Sequence, residues 1–139
     1  MATTIEIQIR QAGRATSETV IRGHKVLIDR PVAKDGDDRG PMGGELILAG
    51  LGGCFMSNLL AAIRAREADI SNCQVDVTAT AGANPSRFTA IELRVSADCR
   101  DSELLGKLVT IAERGCIAAN TLREAVELTV HAVATEPAA

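Results

Sequence analysis

The stretch Glu45-Leu46-Ile47-Leu48-Ala49-Gly50-Leu51-Gly52-Gly53-Cys54-Phe55-Met56-Ser57-Asn58-Leu59-Leu60-Ala61-Ala62-Ile63-Arg64-Ala65-Arg66 decides the fold. Between Leu46 and Ile63 only Ser57 and Asn58 are polar, so a helix made from it has no face for water and calls for cover on all sides. An apolar run of about 18 residues approaches the roughly 20 that span a bilayer. Gly50, Gly52 and Gly53 inside it, and strand-like segments on both sides, argue instead for a core helix packed on two sides, with no membrane involved. Each glycine costs a helix up to about 1 kcal/mol, which needs a packing reason. Together with Ala49 and Ala61 they allow close approach of another element, and a second copy of the chain is a natural one.

Working outward, Ile5, Ile7 and Ile9 alternate with Glu6, Gln8 and Arg10, which predicts a strand over Thr4 to Arg10 with one buried face. Gly13 breaks it. Two further strands, Glu18 to Arg22 and His24 to Asp29, flank a turn at Gly23, which suggests an antiparallel meander. Pro31 to Gly44 has the proline, glycine and charge content of a loop. Beyond the helix, alternation in Gln74 to Thr80 and again in Ile91 to Ala97 predicts a strand pair turning at Asn84-Pro85-Ser86. Leu104, Leu108 and Ile111 then recur at helical spacing behind Asp101 or Ser102 as cap, with Gly115 as a left-handed stop. A helical turn through Leu122, a last strand on Val126, Leu128 and Val130, and a frayed end from Thr135 complete the chain. The order is that of a single α+β domain over 1–139.

The 139 residues suffice for a core without disulfides. A net charge of -3 and only two aromatics, Phe55 and Phe88, offer nucleic acid neither a basic surface nor a stacking platform. The alternating N-terminus lacks the apolar run of a secretory signal, which makes the cytoplasm the expected compartment. No phosphate-cradling glycine motif is present, and no cofactor is expected. The four cysteines, Cys54, Cys73, Cys99 and Cys116, are at least 17 positions apart with no metal-ligand spacing, so no metal site is expected.

On its own residues Cys54 reads as a small core side chain, one turn from Leu51 and Asn58. It lies too deep in its helix for the dipole to activate it, so a reactive thiolate would need a cation from elsewhere. Arg10, Arg14, Arg22 and Arg39 are the candidates. Cys116 follows a helix end, where a sulfur can be exposed and can move as a resolving thiol must; read from its own residues it is more readily a small core residue. Cys73 and Cys99 have no evident partner, and His24 and His131 lie far from the cysteines in sequence.

Three stretches together resemble the OsmC/Ohr family of hydroperoxide-reducing proteins. They are His24-Lys25-Val26-Leu27-Ile28-Asp29-Arg30-Pro31, Gly40-Pro41-Met42-Gly43-Gly44-Glu45 continuing to Gly52-Gly53-Cys54, and Cys116 with Asn120-Thr121-Leu122. The likeness spans about Arg22 to Val133. It implies an intertwined homodimer whose antiparallel sheets wrap two buried central helices, with active sites at the subunit interface. It also implies a stress-response thiol peroxidase, with Cys54 peroxidatic and Cys116 resolving. Organic or lipid hydroperoxides would be the substrates, held in an apolar pocket that includes Leu51 and Phe55. An external dithiol, lipoyl-type in the Ohr branch, would be the reductant.

The peroxidase branch sets an arginine that follows an early glycine against a glutamate ten residues before the first cysteine. Gly13-Arg14 resembles the former, and Glu45, nine residues back, stands nearest the latter. A shift of one residue turns a helical side chain by about 100°. A non-catalytic small-molecule-binding or redox-sensing dimer is the alternative, and four structural thiols the plainest reading.

Overall fold

The helix expected from Glu45 to Arg66 runs from Gly43 to Ala65 (α1) in the computed structural model, which describes residues 2–124. The expected last strand and His131 lie outside the described residues. Those described form two compact units, one of residues 2–53 and 74–96, the other of residues 54–73 and 97–124.

In the first unit, β1 (Ile9–Gln11), β2 (Ser17–Ile21) and β3 (His24–Ile28) form the expected antiparallel meander in that order. Ile21 pairs with His24 across a two-residue turn in which Arg22 and Gly23 both have positive φ, 50° and 85°, matching the twist of a tight hairpin. The first strand is shorter than the alternation from Thr4 to Arg10 predicted. Ile9 pairs with Thr19, which leaves only Val20 and Ile21 of β2 before its turn, so the residues nearest the N-terminus run out of partner strand. Ile5 is 82% exposed, and Ile7 and Ile9 are also uncovered.

The segment after β3 is more ordered than its composition suggests. A short 3-10 turn, Val32–Lys34, sits in it, and the buried Asp29 carboxylate organises its backbone. One carboxylate oxygen accepts the Arg30 N–H at 2.7 Å and the Asp37 N–H at 3.4 Å; the other accepts the Thr16 hydroxyl at 2.7 Å and the Arg39 N–H at 3.2 Å. Burial pushes this carboxyl up, but the hydrogen bonds from Thr16 and the three amides outweigh it and bring the pKa down to about 2. An amide in place of the carboxylate would turn an NH2 group toward at least one of these donors. Asp29→Asn is therefore expected to lower the melting temperature at neutral pH by several degrees. The carboxylate's folded pKa lies below its ordinary 3.8, so its contribution is complete above that value and lost as pH falls through about 2. Melts of both proteins should accordingly converge toward pH 2.

The strand pair is longer than the alternation indicated: β4 spans Ser71–Gly82 and β5 Arg87–Asp98, joined at the expected turn. A lone hairpin is marginal in water, and here it has helix cover. A Cβ on Gly52 would stand 3.0 Å from Val77, tighter than ordinary contact, so this helix glycine has the packing reason its cost demands, whereas Gly50 and Gly53 have nothing within 4 Å.

In the second unit the later part of α1 packs with α2 (Ser102–Arg114) and α3 (Ile117–Glu124). The buried side chains there are Phe55, Leu59, Ala62, Ile63, Ile70, Leu108, Ala112 and Cys116. Asp101 caps α2, its carboxylate accepting the Leu104 N–H at 3.1 Å. Gly115 does not take the left-handed conformation expected of it. Its φ is -91°, and α2 ends in a right-handed corner.

The expectation that α1 is covered on all sides fails within one chain. Leu51, Phe55, Leu59, Ala62 and Ile63 form a buried row, whereas Ile47 and Leu60 are exposed and Gly50, Gly53 and Ala61 stand open beside them. By length and hydropathy alone α1 could cross a membrane. Its buried row, and the seat of Gly52 on Val77, are those of a core helix.

Candidate active site

Cys54 enters the site from the middle of α1, and Cys116 from the corner between α2 and α3. Although 62 residues separate them, their sulfurs are 3.3 Å apart, with the Cys116 S–H donating to Cys54. A disulfide needs about 2.05 Å, so both thiols are reduced and one small approach would join them. Cys54 is half-buried, whereas Cys116 is 0% exposed. Of the two readings of Cys116, a thiol exposed at a helix end or a core residue, the buried one holds, because the α2–α3 corner folds the side chain inward.

The two thiols are pushed apart in acidity. The backbone N–H of Ala118 lowers the Cys54 pKa most; burial opposes it, and the Cys116 S–H and the Ile117 N–H lower it further. The net direction is down from the ordinary 9.0. For Cys116 burial dominates and raises the pKa, the Ala119 N–H works against that, and the neighbouring Cys54 raises it again. The pair therefore loses its first proton from Cys54 and keeps Cys116 as donor.

Reading Cys54 as dependent on a cation missed this arrangement. The amides come from the first turn of α3, where four backbone N–H groups lack intrahelical partners. Ala118 and Ile117 are the amides that lower the Cys54 pKa, Ala119 donates to the Cys116 sulfur at 3.4 Å, and the helix's own bonding starts with the Asn120 N–H to the Cys116 carbonyl at 3.0 Å. The dipole of Cys54's own helix fades within its first turn, so the amides that open α3 are what bear on the sulfur. The only sequence signal was the short apolar run after Cys116, which gave no indication of what its amides face.

Arg14 and Glu45 are not brought together. The Arg14 guanidinium donates to the Asp37 carboxylate at 3.0 Å, to the Asp35 carboxylate at 3.5 Å and to the Asp35 carbonyl at 3.1 Å. The Glu45 carboxylate reaches back to accept the Met42 N–H at 2.8 Å, half of a capping box at the start of α1. The carboxylate one residue nearer to Cys54 thus closes its own helix. Leu51 and Phe55 are nearly fully buried, and Cys73 and Cys99 carry free thiols. Cys99 donates to the Asp101 carbonyl at 3.1 Å. No cluster of metal-ligating side chains occurs among the described residues.

An α+β chain with antiparallel sheets, an apolar central helix carrying a thiol and a second thiol brought to it by a later helix corner defines a class, and the chain belongs to the OsmC-like protein family, whose model matches residues 36–131. Protein YhfA of Escherichia coli (strain K12) is 27% identical over 111 residues, covering 77% of this chain and 80% of YhfA. Among solved structures, the OsmC like protein from Mycoplasma pneumoniae matches with a TM-score of 0.76 at 19% identity, over 88% of this chain and 89% of that one. An organic hydroperoxide resistance protein from Elizabethkingia anophelis matches with a TM-score of 0.68 at 19% identity, over 88% and 91%. At these identities the solved structures establish the fold.

Proposed function

We propose that this protein is a thiol-dependent peroxidase of the cytoplasmic stress response that reduces organic hydroperoxides through Cys54 and Cys116. The observation that carries this reading is the 3.3 Å thiol pair, with the half-buried member acidified and the fully buried member held protonated. The Cys54 thiolate attacks the distal oxygen of the hydroperoxide; the O–O bond breaks, Cys54 becomes a sulfenic acid and the departing alkoxide takes a proton to leave as alcohol. Cys116 then attacks the sulfenic sulfur, forming the disulfide and releasing water. An external dithiol, lipoyl-type by family resemblance, returns both thiols by exchange and is itself oxidised to a disulfide.

The apolar setting favours organic over hydrogen peroxide. Leu51 and Phe55 are the side chains proposed for the substrate pocket, and Ile117, next to Cys116, is 69% exposed. Steady-state consumption of an alkyl hydroperoxide and of hydrogen peroxide, each with dihydrolipoamide and with a monothiol, tests the reading. Faster turnover of the alkyl substrate, supported by the dithiol, is expected; no turnover with either reductant would refute it.

The apolar strip of α1 that one chain leaves open supports a homodimer in which a second copy covers it, a two-fold contact of a patch with itself. Leu60→Asp puts a charge on that strip without touching the buried row. It is expected to turn a dimer into a monomer of unchanged helix content, as read by light scattering and circular dichroism.

A redox-sensing dimer is the second reading, and the separate engagement of Arg14 and Glu45 favours it. A sensor would form the disulfide once per oxidation event and be reduced slowly by every dithiol tried.

A further inference from the structure

Asn58 has no role in the chemistry above, yet it is a polar, helix-disfavouring residue inside the most apolar segment of the chain. It lies one turn beyond Cys54 on α1. Its carboxamide donates to the Ala112 carbonyl at 3.3 Å, in the last turn of α2 and four residues before Cys116. Helices end with carbonyls that lack partners, and those of α2 are all accounted for. Ile111 accepts the Gly115 N–H at 3.2 Å, Glu113 accepts the Cys116 N–H at 3.1 Å, and Arg114 accepts the Asn120 side chain at 3.1 Å. The Ala112 carbonyl is the one satisfied from α1.

We infer that Asn58 is a positioning residue for the second step, fixing the corner that carries Cys116 against the helix that carries Cys54. Joining the sulfurs requires them to approach by the difference between 3.3 Å and about 2.05 Å, and closure is fast only if the corner does not drift. Without the Asn58 bond the Ala112 carbonyl must find water or reopen the end of α2, and either outcome loosens the Cys116 backbone. Asn120 braces the same corner from α3. The inference rests on the peroxidase reading, because it concerns the sulfenic acid to disulfide step.

Single-turnover oxidation by an alkyl hydroperoxide, quenched at intervals with a sulfenic-acid trap, measures both steps in one experiment. In Asn58→Leu, first-step oxidation of Cys54 is expected within twofold of the parent, and closure is expected to slow about tenfold, the scale of one lost hydrogen bond. Asn120→Ala changes an exposed side chain and so guards against a variant that fails to fold. A smaller slowing of closure alone is expected there. Equal slowing of both steps, or unchanged closure in both variants, overturns the positioning role. A parent that forms no Cys54–Cys116 disulfide overturns the peroxidase reading instead.

Discussion

Replacing Cys54 by serine is expected to reduce hydroperoxide consumption on the order of 10³-fold or more, to the background of the reductant alone. A neutral hydroxyl cannot accept the distal oxygen as a thiolate does, and the amides of Ile117 and Ala118 then face a group with no charge to stabilise. The fold should survive, since serine is of similar size and Cys54 is only half-buried. A melting temperature close to that of the parent, with activity gone, separates loss of chemistry from loss of structure. The same acidity gives a pH signature. Alkylation of Cys54 by iodoacetamide should rise with pH with a midpoint below 9.0, while Cys116 should titrate above it and react last because it is buried.

The Cys116→Ala protein should behave differently. Its first oxidation still occurs, because Cys54 and its two amides remain, but it stops at the sulfenic acid and no disulfide forms. The thiol that donates to Cys54 is also missing, which costs the thiolate one hydrogen bond of about 1 kcal/mol and slows the first step several-fold at neutral pH. Turnover with a dithiol should fall at least about tenfold, and excess peroxide should drive Cys54 on to the sulfinic state. A trap adduct at Cys54 that accumulates in Cys116→Ala and decays in the parent checks this. Equal turnover in the two proteins would remove Cys116 from the mechanism.

Much of this architecture was legible in the residues. The period-two runs placed the β4–β5 pair, the β-branched content around Gly23 placed β2 and β3, and the long apolar run placed α1, because these patterns record a single local geometry. The limit was reached wherever a partner lay far away in sequence. Ile5 continues the alternation of a strand, but in the register that sets Ile9 opposite Thr19 the position facing it is Gly23, in the turn, so it has no strand to pair with. Asp29 was read only as the end of a strand, since nothing local tells that Thr16, Arg30, Asp37 and Arg39 all donate to it. Gly115 satisfied the usual pattern of a left-handed stop, yet the side chains of Asn58 and Asn120 close the end of α2 and make that conformation unnecessary.

The candidate site divides in the same way. That Cys54 and Cys116 matter together came from resemblance, because their own neighbourhoods favoured two core thiols. The resemblance also drew attention to Arg14 and Glu45, which this chain uses to tie a loop and to cap a helix. What acidifies Cys54 instead is the first turn of α3, which begins at Ile117, far downstream, an effect of orientation that composition does not encode.

The intact mass of the reduced protein before and after one equivalent of an alkyl hydroperoxide, followed by mapping of the thiols, decides whether Cys54 and Cys116 act as a redox pair. Rapid loss of two hydrogens and a single Cys54–Cys116 link are expected, with Cys73 and Cys99 still alkylatable. Unchanged thiols, or slow oxidation spread over all four cysteines, would contradict the redox pair.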